Sequence, residues 1–403
     1  MTVRPPRARM VNRRVVLSIW LPSGCIALSR GLMLPVLPLF ALSFEAGYGL
    51  VGLVLAAEGL GNLLLNVPAG MATRRFGQKR TMMVGGLGMA AMAAAMFQAQ
   101  SLVELLVYRL LAGGFMALWN IARHTYMTDV VPVAQRGRIY SAFGGIGRIT
   151  SFVGPLLGGL AADAIGLRWP FLLVALMRLA GVAAAARWVQ EREGSGRGRL
   201  SAGEVLRGQA QVLKAHWKVL ASAGSGQLCG QTVRSARTAV IPLYAAEVLG
   251  LEAGAVGLML SLSYALDMLM FVPAGQIMDR RGRKYAYVPS FLLQSAAMAV
   301  IPLTETFWTL ALTTMALGIA NGLGSGTMLT LGADLSPERG RGEFLGLWRL
   351  VGDGGSAAGP MVVGEVAEVA GLHTAPLVVA AVGVIGAVLL ATLVPETLRR
   401  KTA

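Results

Sequence analysis

The chain has 403 residues, 55% of them hydrophobic and only 14% charged, with a mean hydropathy of +0.62 and a formal net charge of +16. A soluble domain carries roughly a quarter of its residues as Asp, Glu, Lys or Arg, so this composition excludes a soluble enzyme and points to a protein built in a bilayer. Two cysteines and three scattered histidines offer neither a disulfide framework nor a metal site. Apolar runs recur along the whole length. They predict twelve spans at approximately 15–43, 51–72, 82–99, 103–128, 139–161, 169–187, 219–246, 256–277, 285–303, 307–331, 344–364 and 375–394, each near the ~20 residues that cross a hydrocarbon core. The expected fold class is an all-α membrane protein.

The charge is distributed as a topology signal. Of the 36 Lys and Arg, 27 fall in the N-terminus, the even-numbered loops and the C-terminus, one (Arg168) falls in the opposite loops, and 8 lie inside spans. Basic loops stay in the cytoplasm, which predicts a multi-pass protein of the inner membrane with both termini cytoplasmic. It also accounts for the basic balance without a nucleic-acid partner, leaving membrane lipids as the expected contact. Pro22-Ser23-Gly24-Cys25 loosely resembles a lipoprotein cleavage box, but the apolar run continues to Phe44.

In chain order, the first loop of note follows span 2: Pro68-Ala69-Gly70-Met71-Ala72-Thr73-Arg74-Arg75-Phe76-Gly77-Gln78-Lys79-Arg80. It recurs 205 residues later as Pro273-Ala274-Gly275-Gln276-Ile277-Met278-Asp279-Arg280-Arg281-Gly282-Arg283-Lys284-Tyr285. Asp129, Pro132, Arg136 and Gly137 recur at the same offset as Asp334, Pro337, Arg341 and Gly342, and Gly147, Gly154 and Pro155 as Gly352, Gly359 and Pro360. In the first span of each half the offset is 204, matching Cys25, Arg30 and Pro38 with Cys229, Arg234 and Pro242. A constant offset predicts two duplicated six-helix bundles, 1–189 and 216–403, joined by a cytoplasmic linker at 190–215 whose Gly, Ser and charge suit a flexible segment. Residues 204–214 have the pattern of a short surface helix, but a solvated stretch of linker is the preferred reading.

These motifs resemble the major facilitator superfamily over essentially the whole chain. Gly275-x-x-x-Asp279-Arg280-x-Gly282-Arg283-Lys284 is similar to that family's loop between the second and third spans of a half. Pro35-Val36-Leu37-Pro38, Arg109-x-x-x-Gly113, Gly154-Pro155-x-x-Gly158-Gly159 and Asp129-x-x-Pro132-x-x-x-Arg136-Gly137-Arg138 resemble the twelve-span drug:proton antiporter branch. The resemblance implies two pseudo-symmetric bundles working by alternating access. It implies a cytoplasmic gate at Gly70, Gly77, Gly275, Asp279, Arg280, Gly282, Arg283, Asp129, Arg136, Asp334 and Arg341, and help with proton transfer from Arg109. The chain departs from the pattern at Arg74, which stands where the first loop should hold an acid, and in span 1, which has no acid before Glu45.

Charges inside a bilayer are expensive and mark functional or paired positions. Eight arginines (Arg30, Arg109, Arg123, Arg148, Arg178, Arg234, Arg237, Arg349) face three acids (Glu58, Asp267, Asp353). Arg30 and Arg234 are repeat equivalents in spans expected to line a central cavity. Either they form a fork for an anionic substrate group, or each pairs locally, Arg30 with Glu58 or Asn62 and Arg234 with Asp267. Glu58, Asn62 and Asn66 make one polar stripe on span 2, and Ser263 and Asp267 occupy the equivalent face of span 8. Glu58 and Asp267 are the candidate proton carriers, with Arg109 as the helper. Asn120 and Asn321 are candidate cavity hydrogen-bonders, and Asn321-Gly322-x-Gly324-x-Gly326 reads as close helix packing. Gly154-Pro155 and Gly359-Pro360 read as bends near the interface of the halves.

No catalytic constellation, phosphate loop or cofactor motif accompanies these residues. The expected function is proton-coupled efflux of drug-like molecules by a monomer with a small-molecule substrate and no cofactor. The alternatives are an organic-anion carrier using Arg30 and Arg234, or a receptor that does not transport.

Overall fold

A segment in hydrocarbon must satisfy its own backbone donors and acceptors, so each apolar run closes into a helix. The computed structural model describes residues 16–131, 135–190 and 202–398. In order the helices are α1 (Leu21–Leu42, entered through a π-helical turn Val16–Trp20), α2 (Tyr48–Phe76), α3 (Gln78–Phe97), α4 (Leu102–Val130), α5 (Arg136–Ile165) and α6 (Trp169–Trp188). The second six are α7 (Ala202–Glu247), α8 (Ala253–Arg280), α9 (Lys284–Val300, closed by a 3-10 turn Ile301–Leu303), α10 (Phe307–Leu335, in two pieces), α11 (Arg341–Ala370) and α12 (Thr374–Leu393). No strand occurs among the described residues. Among the described residues, nine of the twelve are long and apolar enough to cross a bilayer by length and composition; α5, α7 and α11 are not among them. Those three carry Arg148, Arg234, Arg237, Arg349 and Asp353, which belong inside the bundle rather than against lipid.

Two boundaries differ from the sequence expectation. The segment expected as a linker is partly helical: α7 starts at Ala202 and changes direction at His216 (φ −122°, ψ 21°), so a first arm precedes the span. The remainder of that segment, Pro132 and the N-terminal basic cluster lie outside the described residues. Span 10, expected as one helix over 307–331, is two: α10a (Phe307–Leu323) and α10b (Thr327–Leu335). Gly326 sits at φ +77°, a left-handed backbone that L side chains seldom adopt. The glycine run therefore serves two ends. Gly322 packs closely, since a Cβ there would lie 3.0 Å from the Asp267 Cα, while Gly324 and Gly326 break the helix.

The duplication is visible in the backbone. Gly77 and Gly282, 205 residues apart, both turn the chain at positive φ (86° and 126°), which is why each repeated loop has glycine at that place.

The halves meet along α2 against α11 and α5 against α8. Small residues let these backbones touch. A Cβ on Gly52 would lie 2.9 Å from the Gly364 Cα, and one on Gly257 3.3 Å from the Gly159 Cα; the two contacts are exchanged by the offset. The amide of Leu156, next to Pro155, donates across the seam to Ser261 Oγ (3.0 Å). At the end of the bundle away from the basic loops, Asp163 Oδ2 accepts from the Gly254 amide (2.9 Å) and Glu368 Oε2 from the Gly49 amide (3.3 Å). Gly254 and Gly49 are the second residues of α8 and α2. Each half thus ends its fifth helix in a carboxylate that caps the second helix of the other half. Toward the basic end the halves part: a Cβ on Gly70, Gly144, Gly145, Gly147 or Gly275 would meet nothing within 4 Å. Among the described residues the seam is closed at one end and parted at the other.

Candidate functional site

Between the halves lies a cavity of about 530 Å³. Helices α1, α2, α4, α5, α7, α8 and α11 supply its wall, which combines Met33, Leu34, Leu37, Leu55, Met116 and Tyr264 with polar groups of Asn62, Asn120, Thr150, Ser235, Thr238 and Ser356. Its charged lining is Arg30, Glu58 and Arg109. A second hollow of about 280 Å³ shares Gly147, Ser151 and Tyr264 with the first and adds Arg148, Asp267 and Ser325.

Glu58 organises the first half. It is buried on α2, and the guanidinium of Arg109, equally buried on α4, donates to its Oε2. Such closeness follows from Gly113 one turn along α4, where a Cβ would lie 2.9 Å from the Asn62 amide nitrogen. Arg30 Nε stands 3.6 Å from Glu58 Oε1, but its side chain remains 61% exposed in the cavity. Arg178 on α6 is completely buried. It donates to Met89 O (2.8 Å) and Ser29 Oγ (3.3 Å), next to Arg30, and lies within electrostatic reach of Glu58.

The second half is arranged differently. Arg234 does not join Arg30 in a fork, nor does it ion-pair with Asp267. Its Nη2 donates to Gly324 O (2.7 Å) and its Nη1 to Gln231 Oε1 (3.3 Å); the break in α10 turns that carbonyl, which also accepts from Thr327 Oγ1 (2.7 Å), toward it. Asp267 feels Arg234 electrostatically from beyond ion-pair distance, and its Oδ1 is buried with no hydrogen-bond partner. Arg148 reaches across the seam to Ser325 Oγ (2.8 Å) and over the Phe271 ring (4.1 Å). Arg349 pairs with Asp353 on its own helix (3.7 Å). Asn120 and Asn62 line the cavity, and the Asn62 Oδ1 is buried without a partner. Asn321 sits half-buried at the end of α10a, outside the lining residues.

Of the expected gate residues at the open end, Asp279, Arg283 and Asp334 make their ion pairs within the second half. Asp279, 79% exposed, pairs with Arg283 one turn on (3.5 Å). Arg283 also binds Asp334 (3.1 Å) within the same half. The equivalent contact in the first half is Gln78 to Asp129, a hydrogen bond where the second half has an ion pair. Arg280 and Arg341 are exposed, and the Arg136 side chain lies outside the described residues. Glu396, just past α12, accepts from the amides of Arg283 (2.9 Å) and Lys284 (3.0 Å) and so caps α9. Partial burial pushes its carboxyl up, but these amides and that of Leu398 outweigh it and hold the group below the ordinary glutamate range. The paired bends pack as close contacts: a Cβ on Gly31 would lie 2.9 Å from the Gly154 Cα, and Gly359 abuts Ser235 and Ala236 on α7.

Sequence reasoning missed Asp163 and Glu368. The signal was present, since they share the 205 offset with each other and with Gly49 and Gly254.

Known proteins match this architecture throughout. The family model described as Major Facilitator Superfamily matches residues 19–228 and again 223–403. An MFS-type transporter of Methanocaldococcus jannaschii is 21% identical over 89% of this chain and 92% of its own length. The multidrug resistance protein MdtG of Enterobacter lignolyticus is 24% identical over 92% of this chain and 89% of its own. The class H tetracycline resistance protein of Pasteurella multocida is 28% identical over 41% of this chain and 42% of its own. Among solved structures, the nucleoside transporter NupG superposes with a TM-score of 0.76 at 14% identity, covering 95% of this chain and all of that one. A POT family transporter gives 0.80 at 12% identity, over 96% and 97%; both likenesses concern the fold. Two six-helix halves, a cavity at their seam and a family match through each half lead to one conclusion: the chain belongs to the major facilitator superfamily and is a multi-pass membrane transporter, not an enzyme.

Proposed function

We propose that this transporter exports small organic molecules across the cytoplasmic membrane by alternating access, with protons moving inward as the drive. The observation that carries alternating access is the seam itself: a central cavity sealed at one end by exchanged contacts and open at the other. Rocking the halves about the cavity would expose it alternately. The orientation rests on the basic loops, which assign the open end to the cytoplasm. The halves then correspond to 1–189 and 216–403 with a cytoplasmic linker at 190–215, acting as a monomer. A cysteine placed at Ser195 should resist an impermeant maleimide in intact cells and react after lysis; labelling in intact cells would reverse the orientation. Export as the direction rests on relatives named for multidrug and tetracycline resistance.

Proton coupling rests on Asp267. A carboxylate in the wall of the second hollow with a buried, unpartnered oxygen is where protonation costs no existing hydrogen bond. Glu58, held by Arg109, is the second candidate, released only when its ion pair rearranges. Flux from proteoliposomes, with and without an imposed pH gradient, tests this. Coupled flux should respond to the gradient in the wild type and lose that response in Asp267→Asn. Flux indifferent to the gradient, or an unaltered response in the variant, would remove proton coupling through Asp267.

A further inference from the structure

The first half contains a surplus of positive charge with nothing of its own to neutralise it. Arg30, Arg109 and Arg178 all lie within electrostatic reach of Glu58, and one carboxylate cannot balance three guanidiniums. Arg109 takes the hydrogen bond to Glu58. Arg178 spends its donors on the neutral acceptors Met89 O, Ser29 Oγ and Met33 Sδ. Arg30 is left with one distant contact through Nε, while its two Nη nitrogens make no hydrogen bond among the described residues and its side chain is 61% exposed. Of the three, only Arg30 opens onto the cavity to that extent. Across the hollow, Arg148 is bonded to a serine and a ring rather than to a carboxylate.

An uncompensated cation at membrane depth calls for an anion. A free guanidinium edge matches a planar carboxylate in a bidentate pair. The same wall carries Leu34, Leu37, Leu55 and Met116 on α1, α2 and α4, and the volume suits a drug-sized molecule. We infer that the cavity seats amphipathic organic carboxylates, the carboxylate on Arg30 and the apolar body against α1, α2 and α4. This deepens the transport reading and rests on it. It also changes the earlier expectation of an anion fork: Arg30 acts without Arg234, which is committed to Gly324.

The test is ligand stabilisation of the full chain in detergent. The probes are naphthoate, the matched naphthylmethylammonium cation, neutral naphthylmethanol and chloride, each followed by the shift in melting temperature. Naphthoate should stabilise the wild type in a saturable way and the ammonium should not. Arg30→Gln should weaken naphthoate binding by about tenfold or more, the loss of a bidentate charged pair, and Arg30→Lys should fall between. Naphthylmethanol binding should be little changed by either. If Arg30→Gln does not fold, the wild-type preference for naphthoate over the ammonium decides alone. Equal or tighter binding of the cation, no effect of naphthoate on the wild type, or naphthoate binding indifferent to Arg30→Gln would each overturn the assignment. Protection by chloride at equal concentration would do so too, since it would mark a plain ion site. Flux measurements separate this from the transport reading. Naphthoate binding without flux of any compound sinks transport and leaves the seat, whereas flux without anion preference does the reverse.

Discussion

Asp163→Asn combined with Glu368→Gln is expected to loosen the sealed end and shift the resting population toward a conformation open on that side. Both replacements keep side-chain shape and an acceptor oxygen, so what is removed is the negative charge over the first turn of α8 and of α2. A carboxylate at an exposed helix N-terminus contributes about 0.3–1 kcal/mol, and a hydrogen bond to a charged acceptor somewhat more than a neutral one. Both carboxylates are exposed, so the lower range applies. The pair then contributes about 0.6–2 kcal/mol to closure, equivalent to about 3- to 30-fold in the ratio of conformations, at 1.4 kcal/mol per factor of ten. The two caps bias one rigid-body equilibrium, so their free energies add and the single variants should each give about two- to fivefold.

Ala253 reports the opening directly. It is 3% exposed and packs at the seam against Gly159. In a background with Cys25 and Cys229 replaced by serine, Ala253→Cys should react with an impermeant maleimide only when the sealed end opens. The labelling rate should rise in the double variant by the factor above, and by its approximate square root in each single. An unchanged or slower rate in the double variant would show that the caps do not hold the seam. A full effect from one single variant and none from the other would show that the pseudo-symmetric pair does not act as two equal latches.

Three further outcomes follow from the same geometry. Glu58→Gln should destabilise the protein by about 3–5 kcal/mol because it strands the buried Arg109; adding Arg109→Gln should recover much of the loss in thermal melting, and no recovery would mean the pair is not the main interaction of either group. Asp279→Asn should barely change melting, since Asp279 is itself 79% exposed and its i,i+4 pair with Arg283 is worth at most about 0.5 kcal/mol, yet should impair flux more than Arg74→Gln if the loop serves a conformation in which the open end closes; equal flux effects would remove that role. Glu396 titrates below its ordinary value, so its cap on α9 is fully present above the ordinary glutamate pKa of ~4.3 and is lost as pH falls through the lowered one. The deficit of Glu396→Gln in melting temperature should therefore be constant through neutral pH and vanish only in acid, and a deficit that changes between pH 6 and 8 would refute the assignment.

Much of the fold was legible because duplication leaves a ruler in the sequence. The offset of 205 tied the two loops, the two Gly-Pro bends and the two signature glycines together, and each pair occupies equivalent places in the structure. Span boundaries were less legible where polar residues extend a helix beyond the hydrocarbon, as at 73–76 of α2 and at both ends of α5. The break in α10 was hidden because glycine runs serve close packing and broken helices equally well, and only the left-handed φ at Gly326 distinguishes them. Asp163 and Glu368 were passed over because an acid at a span end is ordinarily an interfacial residue. Their partners are backbone amides of another helix, and amides carry no sequence signal.

The unequal surroundings of Arg30 and Arg234 have a sharper cause. Arg30 and Arg234 hold equivalent positions, which suggested equivalent roles, but their surroundings diverged after duplication. The position of Glu58 on α2 corresponds to Ser263 on α8, and that of Asn62 to Asp267. The acid has moved one turn along its helix toward the open end, and at the depth where Arg30 finds a carboxylate, Arg234 has a hydroxyl. In the first half α4 is unbroken and offers no free carbonyl, so Arg30 leans on Glu58 and remains open to the cavity. In the second half the break beyond α10a presents Gly324 O, and Arg234 turns to it. That single exchange of acid and polar positions frees Asp267 from a permanent ion pair and leaves Arg30 as the exposed cation. It divides the labour between the halves, with anion binding proposed for one and proton binding for the other.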